Sequence, residues 1–206
     1  MMLDDRPISR LQTDDRGAEI SDDGIYRYTL WRRWDKERPR ALFVMLNPST
    51  ADADRDDPTI RRCVGFARSW GMGGLRVVNL YPFRATKPAD LWKADVPEGY
   101  GNLNCIERMI DTAGISVAAW GAHGPEKKTR EVRNLFYDLG VPLYALGLTN
   151  NGAPRHPLYI AAAAIPIVFE PSRNNIRVGE QWTQCRSSPA ETDARVRQII
   201  DGKDKA

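Results

Sequence analysis

The chain has 206 residues, 42% of them hydrophobic and 28% charged, with a net charge of +3. That is the composition of a soluble globular protein of about one domain, and it excludes disordered and collagen-like classes. No stretch approaches the ~20 apolar residues of a membrane span, and the first residues, Met1-Met2-Leu3-Asp4-Asp5-Arg6, hold no apolar signal core. Cys63, Cys105 and Cys185 are too few and too scattered for a disulfide framework or a metal cluster, so a cytoplasmic location without membrane contact is expected.

Residues 1–20 are charged and aperiodic and read as a loose arm, ahead of a single α/β domain over 21–170 and a polar extension over 171–206. Tyr26–Trp31 alternates and is aromatic-rich, as an edge strand would be. Ala41–Leu46 is a short apolar run, the mark of a strand buried on both faces of a parallel sheet. Pro48 has no N–H to give a ladder, so this strand ends at the turn Asn47-Pro48-Ser49-Thr50.

An acidic loop, Ala51–Pro58, follows. Its aspartates lack the Gly and closing Glu of a calcium loop; Asp57 or Thr59 instead suits the start of a helix over Thr59–Trp70, ended by Gly71-Met72-Gly73-Gly74. The second central strand is Leu75–Leu80, carrying Asn79 and then Tyr81, Phe83 and Arg84 at its end. A helix over Leu103–Thr112 leads to a third strand, Ile115–Trp120, which ends at Gly121-Ala122-His123-Gly124. A helix over Thr129–Leu139 leads to a fourth strand, Pro142–Leu146, followed by a loop holding Asn151, Arg155 and His156. A short element near Ile165–Phe169 closes the domain, and Ala194–Ile200 has helical character.

This alternation predicts a three-layer α/β/α fold with a mostly parallel central sheet. Right-handed crossovers put every strand's carboxyl end on one rim, where open α/β sheets bind ligands. The chain's two histidines both fall in these terminal loops. Imidazole titrates near neutrality and can donate to a developing anion, and the glycines beside His123 let backbone approach a ligand closely. Asn47, His123 and His156 therefore fall where chemistry is expected. Pro48, Ser49, Thr50, Asn79, Tyr81, Arg84, Trp120, Gly121, His123, Asn151 and Arg155 are the expected substrate-binding set. The phosphate loop, the dinucleotide Gly-x-Gly-x-x-Gly and the Gly-x-Ser-x-Gly nucleophile elbow are all missing from the sequence. No cofactor and no metal are expected.

The stretch from about Tyr26 to Phe169 resembles the DUF1643 family. The resemblance rests on Phe43–Ala51, Asp57-Pro58-Thr59, Asn79–Thr86, Trp120-Gly121 and Gly152–Tyr159. The order of motifs is also similar, more weakly, to the uracil-DNA glycosylase superfamily. There a strand ends in a water-positioning Asp or Asn followed by Pro, and a later loop carries His-Pro-Ser. Asn47-Pro48 is similar to the first motif and His156-Pro157 to the second. Ser49 stands where the mismatch-specific branch has Gly, and Leu158 where the later motif has Ser.

This second resemblance implies a uracil-DNA glycosylase-like fold. It also implies that Asn47 orients a water at the sugar C1′ and that His156 stabilises the leaving base, while Asn79 or Tyr81 reads or stacks on the base. The implied partner is nucleic acid or a nucleotide. A non-catalytic module binding nucleotides or modified nucleic acid, and a small-molecule enzyme, are the competing expectations.

Overall fold

A computed structural model of the protein describes residues 16–170. Seven strands form one sheet, β1 (Arg16–Ile20), β2 (Arg27–Arg33), β3 (Arg40–Met45), β4 (Gly74–Asn79), β5 (Ala113–Ala118), β6 (Leu143–Ala145) and β7 (Ile167–Glu170). The helices are α1 (Pro58–Ser69), α2 (Pro88–Leu91), α3 (Asn102–Ile110) and α4 (Glu126–Asp138). The strand order is β1-β2-β4-β3-β5-β6-β7.

Strands β4, β3, β5 and β6 are mutually parallel. Strands β1, β2 and β7 join them by antiparallel pairing. The expected mostly parallel sheet is thus a mixed one, with a parallel centre and antiparallel flanks. Two further expectations are corrected. Residues 16–20, assigned to a loose arm, form β1; its polar, mixed pattern hides a strand held by backbone pairing to β2. The aromatic strand β2 is consequently not an edge, because β1 and β4 cover its two sides. The remainder of the expected arm, the expected extension with its helix over Ala194–Ile200, and Cys185 lie outside the described residues.

The sheet separates two apolar cores, as the period of two in a strand requires. Ala41, Phe43 and Met45 of β3 and Leu75 and Val77 of β4 point to α1, whose Ile60, Cys63, Phe66 and Ala67 form one stripe. Leu42, Val44 and Leu46 with Val78 and Leu80 point the other way, to Ile106 and Met109 of α3 and Val132 and Phe136 of α4. Every residue of β3 and β4 is buried, which explains why both are mainly apolar; Arg40, Arg76 and Asn79 are the polar exceptions. Phe66 stacks on Trp70, and Trp70 on Phe43, at 5.7 and 5.8 Å between ring centroids. Truncating Phe66 to Ala would cost about 3–5 kcal/mol by opening a cavity there.

The connection from β3 runs through α1 to β4 on one side of β3. The connection from β4 runs through α3 to β5 on the other side, over the opposite face. The carboxyl ends of β3 and β5 therefore flank the point where the winding reverses. That is the place in an open α/β sheet where the two departing loops part and leave a crevice.

Candidate active site

A cleft of about 640 Å³ opens at this point. From the end of β3 it receives Met45, Leu46, Asn47 and Ser49; from the end of β5, Trp120, Gly121 and His123. The loop after β6 adds Thr149, Arg155, His156 and Tyr159. Asn47 and His156, 109 positions apart in the chain, thus face one hollow.

The loops are tied to one another by backbone. Ala85 N–H donates to Pro48 C=O at 2.9 Å, and Asn47 Nδ2 returns a bond to Ala85 C=O at 2.7 Å. Asn47 Nδ2 also donates to Pro48 C=O at 3.0 Å. Both partners are carbonyls, which can only accept, so the orientation of the amide is fixed by chemistry. Both N–H groups of Asn47 are engaged, and its Oδ1 is left as an acceptor for a ligand. On the other wall, Gly121 N–H donates to Pro154 C=O at 3.0 Å, and Arg155 N–H to Gly147 C=O at 2.8 Å. Gly121 is in the left-handed region at φ +73°, and a Cβ there would lie 3.7 Å from the His156 Cβ.

His156 precedes a short 3₁₀ turn, Pro157–Tyr159. Its Nδ1 accepts from the Leu158 N–H at 3.3 Å. An accepting Nδ1 carries no proton, so in the neutral ring the proton is on Nε2. Burial holds the imidazole below its ordinary pKa, with the negative charge of Asp57 opposing. Both observations favour a neutral ring that presents an Nε2–H donor.

Two charged residues of the cleft, Arg27 and Asp57, were not anticipated as site residues. Arg27 is 2% exposed. Its Nη1 donates to Ala51 C=O at 2.8 Å, and its Nε is buried without a partner among the described residues. Burial lowers its pKa to about 10, again against the field of Asp57. Asp57 caps α1, its Oδ1 accepting from Ile60 N–H at 2.8 Å, and is the one carboxylate among the described residues that line the cleft. The sequence marks Asp57 as a helix start; only the fold shows that this helix begins at the site. Arg27 carries no local signal at all, since it sits inside an alternating aromatic strand.

The other expected binding residues divide by position. Ser49, Trp120, Gly121, His123 and Arg155 line the cleft. Trp120, 3% exposed and edge-on to Phe169 at 5.8 Å, forms floor and core together. Thr50 and Arg84 line an adjoining hollow instead. Pro48 is buried and contributes its carbonyl. Asn79, Tyr81 and Asn151 are not brought to the cleft. Asn79 is fully buried in β4, and Tyr81 packs edge-on against Trp92 at 5.3 Å in the α3–α4 core. Asn151 is exposed in the turn before Gly152.

Among the described residues, no group of three or more His, Cys, Asp or Glu is placed to hold a metal ion. No helix among them is long and apolar enough to cross a membrane. The family model for DUF1643, described as a protein of unknown function, matches residues 27–158. No curated protein matches the chain, and no solved structure does.

Proposed function

We propose that this chain, which belongs to the DUF1643 family, is a nucleic-acid or nucleotide-base enzyme that hydrolyses an N-glycosidic bond in the cleft. Its site would be similar to that of the uracil-DNA glycosylase superfamily. The observation that carries this reading is the pairing, in one cleft, of an amide whose Oδ1 is uncommitted and a neutral imidazole whose Nε2–H is uncommitted. Helices on both faces of the sheet, and a cleft where the winding reverses, support a three-layer arrangement of that kind.

In this mechanism Asn47 Oδ1 accepts a hydrogen bond from water and aims its oxygen at the sugar C1′. The C1′–N bond breaks, and its electron pair leaves on the base. His156 Nε2–H donates to the base oxygen on which that charge gathers. The water oxygen bonds to C1′ and releases a proton. An amide cannot hold a proton at neutral pH, and Nδ1 of His156 is occupied, so Asp57 is the acceptor the cleft offers. A carboxylate there also favours the positive charge that develops on the sugar. Arg27 and Arg155 supply cationic surroundings suited to the departing anion or to a phosphate.

The test is incubation of the purified protein with oligonucleotides carrying damaged or modified bases, and with free nucleosides, scored for abasic sites or released base. Asn47→Ala and His156→Ala are each expected to lower turnover about 10²–10³-fold without changing the melting temperature by more than a few degrees. Full turnover in both variants would remove the assignment. Ligand-induced stabilisation without product would point to a non-catalytic binding module.

A further inference from the structure

We infer that the basic hollow beside the cleft holds the phosphodiester backbone of a single-stranded polynucleotide, so that the substrate is a strand and not a free nucleoside. This deepens the reading above and rests on it for the position of the base. The hollow is also about 640 Å³, and it shares Ser49, Ala85 and Thr86 with the cleft. One ridge of three residues therefore separates the two spaces. A group leaving the cleft over that ridge enters the hollow directly, as the phosphate attached to a bound nucleoside's sugar would.

The chemistry of the hollow suits a phosphodiester. Arg55 and Arg84 line it. Arg84 is half-buried; its Nη1 donates to Gly24 C=O at 3.1 Å, and its Nε is buried without a partner among the described residues. It forms no ion pair among the described residues, so its charge is uncompensated by a contact carboxylate. The hollow's own carboxylate, Asp52, is turned into its loop, its Oδ1 accepting from the N–H groups of Asp54 at 3.0 Å and Arg55 at 2.8 Å. Two guanidiniums against one carboxylate leave a single positive charge. That matches the one charge of a phosphodiester, whereas a terminal phosphomonoester carries up to two at neutral pH. The hydroxyls of Ser49 and Thr50 add donors of the kind that contact phosphate oxygens.

One wall is aromatic and apolar. Phe83 and the 43% exposed Ile25 lie beside the two arginines. A stacking face next to cationic groups is the arrangement by which proteins hold single strands without reading their sequence. A single strand brings an unpaired base to the cleft and the next phosphate to the hollow with no duplex to open.

The test is binding of fluorescein-labelled single-stranded DNA and RNA oligomers, followed by anisotropy across a salt series, for the native chain, Arg55→Gln, Arg84→Gln and the double variant. Each lost phosphate contact on a single strand should reduce the slope of log K against log salt by about 0.7. The double variant should therefore lose about 1.4 of slope. Arg55 is exposed and makes no side-chain hydrogen bond among the described residues, so its variant reports on the hollow even if Arg84→Gln disturbs the fold.

Absence of oligomer binding, or a slope unchanged in Arg55→Gln and in the double variant, would overturn the inference. A nucleoside 5′-monophosphate competing as well as a trinucleotide would assign the hollow to a terminal phosphate and overturn it too. Abasic-site formation is scored in parallel. Arginine-dependent slopes without any product would sink the catalytic reading and leave the hollow standing. Product with arginine-independent slopes would do the reverse.

Discussion

Asp57 gives the most informative perturbation, because one side chain does two separable things. Its Oδ1 caps α1 by accepting from Ile60 N–H at 2.8 Å, and its charge raises the pKa of both His156 and Arg27 against the lowering effect of burial. Asp57→Ala removes cap and charge together. Asp57→Asn keeps an acceptor of equal capping strength and removes only the charge. The difference between the two variants therefore isolates the cap, at about 1 kcal/mol. For a chain of this size that is about 2–4 °C in melting temperature. The charge is read from the imidazole by NMR titration: His156 should titrate at lower pH in both variants than in the native chain, because the negative charge that raised it is gone. Turnover should fall in both, since neither retains a proton acceptor at that position. Equal melting temperatures in Ala and Asn variants would refute the cap. An unmoved His156 titration would refute the electrostatic reach of Asp57, and undiminished turnover in Asp57→Asn would refute its part in the reaction.

The pH dependence of His156 has a definite sign. Its pKa is below 6.5 in the fold and near 6.5 in the unfolded chain, so between those values the unfolded state binds more protons and stability rises with pH. The imidazole's destabilising effect is absent above about pH 6.5 and grows as pH falls toward the folded value. Activity should fall on the same acid limb, because a protonated Nδ1 would face the Leu158 N–H. Melting curves and rates from about pH 5 to pH 8 test both, and a His156→Gln protein should lose the acid limb in stability. Gly121→Ala would bring its Cβ into ordinary contact with His156 Cβ at 3.7 Å but must hold φ +73°; the cost should be about 1–2 kcal/mol, and an unchanged melting temperature would contradict that backbone. Cys63 and Cys105 are buried, with burial raising the Cys105 pKa to about 11 and that of Cys63 further. Both should resist iodoacetamide until the protein is denatured, as mass spectrometry of labelled peptides would show.

The central strands and three long helices were legible because each obeys a simple period. The expected Ala41–Leu46, Leu75–Leu80 and Ile115–Trp120 fall within two residues of β3, β4 and β5, since a strand buried on both faces is mostly apolar. Helix α1 announces itself through its cap, its first proline and its apolar stripe. Strand β1 was not legible, because an outer strand held by its neighbour's backbone needs no apolar pattern. The candidate cleft was legible in the strand-end loops with turn chemistry, where Asn47 and His156 both line it. It was not legible at Arg27, whose place in the cleft depends on the register of an antiparallel flank that no local pattern encodes. Asn79 and Tyr81 are buried away from the cleft, since a polar or aromatic residue at a strand end can serve the core as readily as the rim.

The departures from the glycosylase motifs can now be weighed by the atom each one affects. Leu158 stands where the glycosylase motif has Ser, but its contribution to His156 is a backbone N–H at 3.3 Å, which any residue except proline supplies. The tautomer of His156 is therefore indifferent to that substitution. Ser49 stands where the compared glycosylase motif has Gly, yet the amide of Asn47 is held by the carbonyls of Pro48 and Ala85 and by no atom of Ser49. Both changes leave the proposed chemical pair intact. What they alter is the surface the rest of the substrate meets: Ser49 stands on the ridge between cleft and hollow, and Leu158 is exposed beside Tyr159 at the cleft's lip. Under the proposed function these two positions bear on substrate handling, and the identity of the strand, more than the reaction proposed for it, is where this chain is expected to differ from glycosylases that open a duplex. Ser49→Gly is the direct check. It should leave the Asn47 amide geometry unchanged and shift the relative affinity for single-stranded and duplex oligomers; equal affinities for both forms, before and after the change, would refute the argument.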